Sequence, residues 1–261
     1  MKRTLLDQLV EPGVISVEFQ PILDVSDGRT SLYAFEALAR GPAGSSLARP
    51  DVLFEYARRR GEESRLDLVV IREVFAAARM LVCEPCISIN IHGSTLSNIE
   101  DFAEKFIVSA QAHGIDPKRL MLEIVEHRAP WTLETFRGTL DQLRSAGVRI
   151  AVDDLGIAAS NFRMIVDCRP DHLKVDRYIV NGASHDRFRA AVLESIVTLA
   201  NACDAAPIAE GIETADDLAL VTRLGIHIVQ GWYYAPSMPA HLAADWAFRQ
   251  PEQIAMKGFN R

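Results

Sequence analysis

Glu36, Glu123, Asp153, Asp154 and Glu210 each sit within or just beyond a short apolar run, and so do Asn90, Lys174 and Gln230. Glu123 shows the pattern: in "LMLEIVE" it lies between Leu122 and Ile124. Burying one uncompensated carboxylate costs several kcal/mol. The five carboxylates, if gathered, also repel one another. Either most are protonated or cations hold them. Hard oxygen donors of this type suit Mg2+ or Mn2+. One member of the adjacent pair Asp153–Asp154 could bridge two ions while the other binds one. Two ions about 3.5–4 Å apart are a known arrangement for phosphodiester cleavage. Within such a set Lys174 orients a water or meets a phosphate. A lone buried acid would read as a cap or an ion-pair partner; polar positions in phase on seven successive runs read as one site.

That phase requires strands. Eight β-branched, apolar runs recur, at 14–23, 32–40, 86–91, 120–126, 148–154, 172–176, 207–211 and 227–231. Several are too short for helices and lack full polar alternation, as strands buried on both sides do. Between them lie amphipathic stretches with helical spacing, at 65–81, 99–114, 132–147, 186–204 and 214–225. Thr132 and Thr214 are expected N-caps, and Gly114, Gly147 and Gly225 expected helix ends. The alternation predicts an α/β fold, a modified (β/α)8 TIM-like barrel. The turn "DVSDGRT" between the first two runs is too short for a crossover helix, so one strand should be antiparallel. A doubly wound open sheet is the alternative. In a barrel the strand ends converge on one mouth, where active sites sit.

The 261-residue chain is 49% hydrophobic and 24% charged, ordinary for a globular protein. It is expected to form a single domain over 1–261, with its core at about 14–240 and a C-terminal helix or tail at 241–261. "RGPAGSSLARP" (40–50) reads as a loop. The net charge of −7 argues against DNA or RNA as a partner, while a small phosphorylated ligand could be accommodated through metal ions. No run is long and apolar enough for a membrane span, and the N-terminus does not read as a signal peptide, so a cytoplasmic location is expected. Cys83 and Cys86 form an isolated C-x-x-C, read as two packing residues rather than a metal or redox site. His92, His127 and His172 lack zinc-site spacing and read as structural.

The residues together resemble the EAL-domain cyclic di-GMP phosphodiesterases. Glu36-Ala37-Leu38 is the Glu-Ala-Leu motif, extended by Arg40 to "EALAR". "FQPI", "INI", "LEIVE", the paired aspartates, "LKVD", "AEGIE" and "VQGW" follow in the family's order, from about Glu18 to Pro239. The resemblance implies a barrel with one antiparallel strand. It implies that Glu36, Asn90, Glu123 and Asp153 hold one divalent cation, and Asp153 with Asp154 a second, Mg2+ or Mn2+. Glu210 is implied as general base or ligand, Lys174 as the holder of a water, and Gln230 as support. Gln20, Leu38, Arg40, Asp176 and Gln230 are the implied substrate contacts, and Glu126 and Glu213 the implied anchors of the loop after the fifth strand. The implied reaction is hydrolysis of cyclic di-GMP to linear pGpG, by a homodimer that a sensory or regulatory protein could control.

One block departs. Where the family reads close to "DDFGTGYSSL", this chain reads "DDLGIAASNF", with Ile157, Ala158 and Ala159 replacing Thr, Gly and Tyr. Backbone freedom and a hydroxyl are lost together. In the family this loop orders the metal site and couples it to a dimer interface, so the departure predicts turnover that is weak or partner-dependent. A non-catalytic cyclic di-GMP receptor and an EAL domain acting through protein contacts alone are the alternatives.

Overall fold

The computed structural model describes residues 7, 9–81, 84–125, 132–156 and 161–257. Along the chain run β1 (Ser16–Asp24), β2 (Ser31–Arg40), α1 (Pro50–Arg58), α2 (Glu63–Ala78), β3 (Cys86–His92), α3 (Gly93–Asn98) and α4 (Phe102–Ala112). Then come β4 (Leu120–Val125), α5 (Leu133–Ser145), β5 (Arg149–Leu155), α6 (Asn161–Cys168), β6 (His172–Val175), α7 (Arg177–Val180) and α8 (Arg187–Ala202). The series closes with β7 (Ala206–Ala209), α9 (Ala215–Arg223), β8 (Ile228–Val229), β9 (Met238–Pro239) and α10 (Ala240–Lys257).

Strands β2 to β8 lie side by side in sequence order, each parallel to the next. β1 closes the ring by pairing antiparallel with both β2 and β8. The sheet is therefore a barrel with one antiparallel strand, and closure excludes the open doubly wound alternative. The β1–β2 connection is one 3-10 turn, Ser26–Gly28, in which Asp24 Oδ1 accepts from the Ser26 amide at 2.8 Å.

Side chains on a strand alternate between faces, and this alternation sorts the barrel. One face packs on the helices: Phe35, Ile87, Ile89, Leu122, Ile124, Ile150, Val152 and Leu173 join the main core with residues such as Phe75, Phe136 and Leu140. The other face turns inward. Ile22, Ala34, Cys86, Met121, Ala151 and Ile208 form a separate buried apolar plug. Two residues nearer the mouth, which on antiparallel β1 means earlier in the chain, stand Gln20, Glu36, Ser88, Glu123, Asp153 and, just past β7, Glu210. One step of the pleat thus converts a dry floor into a polar layer at the mouth.

The helices follow their sequence signals in most places. α8 is capped by Asp186, which accepts from the Phe188 and Arg189 amides, and α9 by Thr214, which accepts from the Asp217 amide. Thr132 stands at the N-cap of α5 but makes no side-chain cap bond; its hydroxyl donates to Thr135 Oγ1 instead. The loop at 40–50 runs up to Pro50, which opens α1, a helix the charged "EYARRR" segment conceals. β9, paired to β1 through Glu18 and Phe19, makes nine strands among the described residues where the sequence predicts eight. Two residues are too few for any periodicity to announce. β8 is shorter than the predicted 227–231 because Gln230 and Gly231 already belong to the turn that holds Ile212. Residues 258–261 of the expected C-terminal tail lie outside the described residues.

Candidate active site at the barrel mouth

The polar layer is organised around one ammonium group. Lys174, on β6 and 1% exposed, places Nζ 2.5 Å from Glu123 Oε2, 2.5 Å from Glu210 Oε1, 3.3 Å from Asp153 Oδ1 and 3.5 Å from Glu36 Oε1. These four carboxylates come from β4, from the end of β7, from β5 and from β2. Glu36 also accepts from Asn90 Nδ2 at 2.9 Å and from Gln230 Nε2 at 2.7 Å. Gln230 Nε2 is shared with Gln20 Oε1 at 3.1 Å, and Gln20 in turn donates to the Ala235 carbonyl at 3.1 Å. Ser88 donates its hydroxyl to Glu123 Oε1.

One positive charge cannot neutralise four negative ones, and the titration of the cluster registers this. Burial pushes the Glu210 carboxyl up to about 8, with Asp153 and Glu36 adding to the rise and Lys174 opposing it. Glu123 is held well above the ordinary carboxylate range by burial and by the neighbouring acids, against the pull of Lys174. Burial acts the same way on Glu36, but there the Lys174 charge and the hydrogen bonds from Gln230 and Asn90 win, and its pKa is lowered. Burial alone would depress Lys174; the four acids outweigh it and raise its pKa well above normal. Asp154 is raised to about 6 by burial, then by Asp153 and Asp176. It also adopts a left-handed backbone, φ +55°, where β5 loses register with β6 between Val152 and Leu155.

An open cleft of about 200 Å³ lies over this cluster. Of the sequence-predicted residues, Gln20, Glu36, Leu38, Asp153, Lys174, Asp176, Glu210, Glu213 and Gln230 line it. Asn90 and Glu123 lie behind that wall, bonded to Glu36 and Lys174. Asp154 is not part of the wall, and neither is Arg40. The Arg40 guanidinium is engaged by Glu18 at 2.8 Å and by Ser237 at 2.7 Å. Asp176 has a second task, accepting from the Tyr178 amide at 2.5 Å to cap α7. Glu126, and residues 157–160 that it and Glu213 are expected to anchor, lie outside the described residues, as do Cys83 and His127. Cys86 belongs to the barrel floor. His92 pairs with Asp67 at 3.0 Å. His172 Nε2 lies 2.5 Å from the Tyr33 hydroxyl, which accepts from Arg149 Nη1 at 2.6 Å.

Sequence reasoning missed Ser88, Arg177, Gly211, Gly231 and Trp232. Ser88 was readable: it is two residues before Asn90 on β3 and so shares its inward face. Gly231 has a steric cause, since a Cβ there would lie 2.1 Å from the Ile212 carbonyl oxygen.

A family model described as EAL domain matches residues 3–237. Among curated proteins, the chain is 28% identical over 246 residues to the probable cyclic di-GMP phosphodiesterase PdeB of Escherichia coli K12, covering 93% of this chain and 46% of that one. It is 30% identical over 167 residues to the cyclic di-GMP phosphodiesterase TpdA of Vibrio parahaemolyticus, covering 64% of this chain and 28% of that one. The chain thus spans less than half the length of these relatives. A manganese and cyclic di-GMP complex of Klebsiella pneumoniae BlrP1 superposes with a TM-score of 0.75 at 26% identity, over 88% of this chain and 57% of that one. A standalone EAL protein of Vibrio cholerae shares the fold, with a TM-score of 0.75 at 21% identity over 87% of this chain and 93% of that one.

Proposed function

Because the chain belongs to the EAL domain family, we propose that it hydrolyses one phosphodiester bond of cyclic di-GMP, giving linear pGpG, with two divalent cations, Mg2+ or Mn2+. The observation that carries this reading is the unneutralised cluster: four carboxylates from separate strands share a single ammonium at the mouth of the barrel. Relatives named as cyclic di-GMP phosphodiesterases, and a relative whose structure holds manganese and the dinucleotide, support it.

The donor set fits such ions in kind and in charge. Glu36, Asn90, Glu123 and Asp153 offer hard oxygens to one ion, and Asp153 with Asp154 to the second. Among the described residues no three acidic or histidine side chains are already arranged around a metal position, because Lys174 holds the centre. Loading therefore requires carboxylates to turn from the ammonium to the ions. When bound, the ions supply Lewis acidity, activating water and neutralising charge on the phosphoryl oxygens. The chain's own groups do the rest. Glu36 is fixed in orientation by Asn90 and Gln230. Glu210, on the cleft wall, accepts the proton of the attacking water. Lys174, released from the acids, orients that water or meets a phosphoryl oxygen. Gln20, Leu38, Asp176 and Gln230 face the cleft where the dinucleotide lies. Arg40 reaches a phosphate only by exchanging Glu18 for it.

Turnover is weak or partner-dependent in this proposal, because Ile157, Ala158 and Ala159 offer the loop after β5 neither a hydroxyl nor a glycine. The active form is a homodimer: Phe162 and Val166, one turn apart on α6 next to that loop, are 71% and 64% exposed and would be covered by a second copy. Product analysis by chromatography tests the reading. With Mn2+ the chain should form pGpG from cyclic di-GMP and Glu36→Ala should not. Binding without product would leave a receptor, and neither binding nor product would reject the reading.

A further inference from the structure

Two planar side chains stand at the rim of the cleft, and each is seated by a glycine. Trp232 lies just past β8, 67% exposed yet part of the cleft wall. Its backbone is held on both sides: the Ile212 amide donates to the Gln230 carbonyl at 3.0 Å, and the Tyr233 amide to the Ile212 carbonyl at 2.9 Å. Gly231 permits this approach, since any side chain there would collide with Ile212. Arg177 lies just past β6, also exposed and also on the wall. A Cβ on Gly211 would sit 2.3 Å from Arg177 Cβ, so the arginine stem lies over the end of β7, on the side of β8. Among the described residues the Arg177 guanidinium makes no hydrogen bond or ion pair, only its stem is packed.

A solvent-exposed indole on an anchored backbone offers a large apolar face that a planar group can cover. The two strand ends are two inter-strand spacings apart, about 9.6 Å. A flat ring held between two others needs about 7–8 Å at van der Waals contact. The Arg177 stem lies over the strand between the two ends, so its planar head is free to close that interval onto a ring lying against Trp232. Both groups can stack on a nucleobase, the indole through its π face and the guanidinium through its planar, weakly hydrated fork.

We propose that Trp232 is the platform on which one guanine base of the substrate stacks, and that Arg177 covers the other face of that base. The inference rests on the cyclic di-GMP reading above and adds the residues that would grip the base rather than the phosphates. It is tested by titrating cyclic di-GMP into the protein, following tryptophan emission and heat, in EDTA to prevent turnover and again in Mn2+ on a stopped-flow timescale. Trp232→Ala should weaken binding about 5- to 150-fold, the range of one base stack. Trp232→Phe should restore most of the affinity and remove the share of the emission change that Trp232 contributes, leaving only that of Trp131 and Trp246. Arg177→Lys should behave like Arg177→Ala, since lysine keeps the charge but not the plane. The rise in thermal stability on adding Mn2+ should be the same in Trp232→Ala as in the parent. Unchanged affinity in Trp232→Ala, or loss of the Mn2+ response with it, overturns the platform. Full affinity in Arg177→Lys overturns the covering role. A parent protein that does not bind the dinucleotide removes the underlying reading instead, so the two failures are distinguishable.

Discussion

Replacing Lys174 by methionine keeps a stem of similar length and removes only the ammonium. In the metal-free protein that leaves Glu123 and Glu210 without the partner now 2.5 Å away, and Asp153 and Glu36 without the one at 3.3 and 3.5 Å. Lys174 is 1% exposed, so water cannot substitute for it. Removing one partner of a buried ion pair costs about 3–5 kcal/mol. For a chain of this size each kcal/mol moves the melting temperature by about 2–4 °C, so the midpoint in EDTA should fall by roughly 6–20 °C. Divalent ions supply the same neutralisation from another source, so saturating Mn2+ should raise the midpoint of Lys174→Met by more than that of the parent. Thermal unfolding followed by circular dichroism, with EDTA and with Mn2+, measures all four midpoints. A metal-free variant within about 2 °C of the parent, or an equal Mn2+ gain in both, would refute the view that this ammonium holds the acids together.

Two further outcomes concern groups away from the mouth. Asp217 is 1% exposed and accepts from the Gly182 and Ser184 amides at 3.0 Å and from the Thr214 hydroxyl at 2.8 Å. Burial works to raise its pKa, but these donors pull it below the ordinary carboxylate value. Its stabilising contribution is therefore present above the unfolded pKa and lost as pH falls through the folded one. At neutral pH Asp217→Asn should cost about 1.5–3 kcal/mol in denaturant unfolding, with the difference from the parent shrinking in acid. His172 is lowered to about 4, first by burial and then by the Arg149 guanidinium, with Asp171 opposing. The unfolded chain then binds a proton that the folded chain refuses, so this histidine makes stability rise with pH between about 4 and about 6.5. Subtracting the stability-versus-pH curve of His172→Gln from that of the parent should leave that slope; a flat difference would contradict it.

The barrel was legible because its strands are buried on both sides and their acids fall on the inward phase. In "LMLEIV" the pattern places Met121 in the floor and Glu123 in the polar layer, two residues apart. The short "DVSDGRT" connection gave away the antiparallel β1, since no crossover fits in it. What stayed hidden had no local signal. β9 is held by pairing to Glu18 and Phe19, a contact more than two hundred residues apart in sequence. Arg40 looks like a phosphate ligand in "EALAR", and only the fold brings Glu18 and Ser237 to it. Lys174 reads as one polar group among several. Its position at the centre of four acids follows from the register of β6 between β5 and β7. Trp232 was visible as a residue, but its exposure depends on Gly231 lying against Ile212.

The central claim is that the acids around Lys174 are a divalent-cation site. Crystals grown with Mn2+ and examined by anomalous scattering measure this directly. Two peaks are expected, one among Glu36, Asn90, Glu123 and Asp153 and one against Asp153 and Asp154, with Lys174 withdrawn from Glu123. No anomalous density there, with the ammonium still seated between Glu123 and Glu210, would contradict the account.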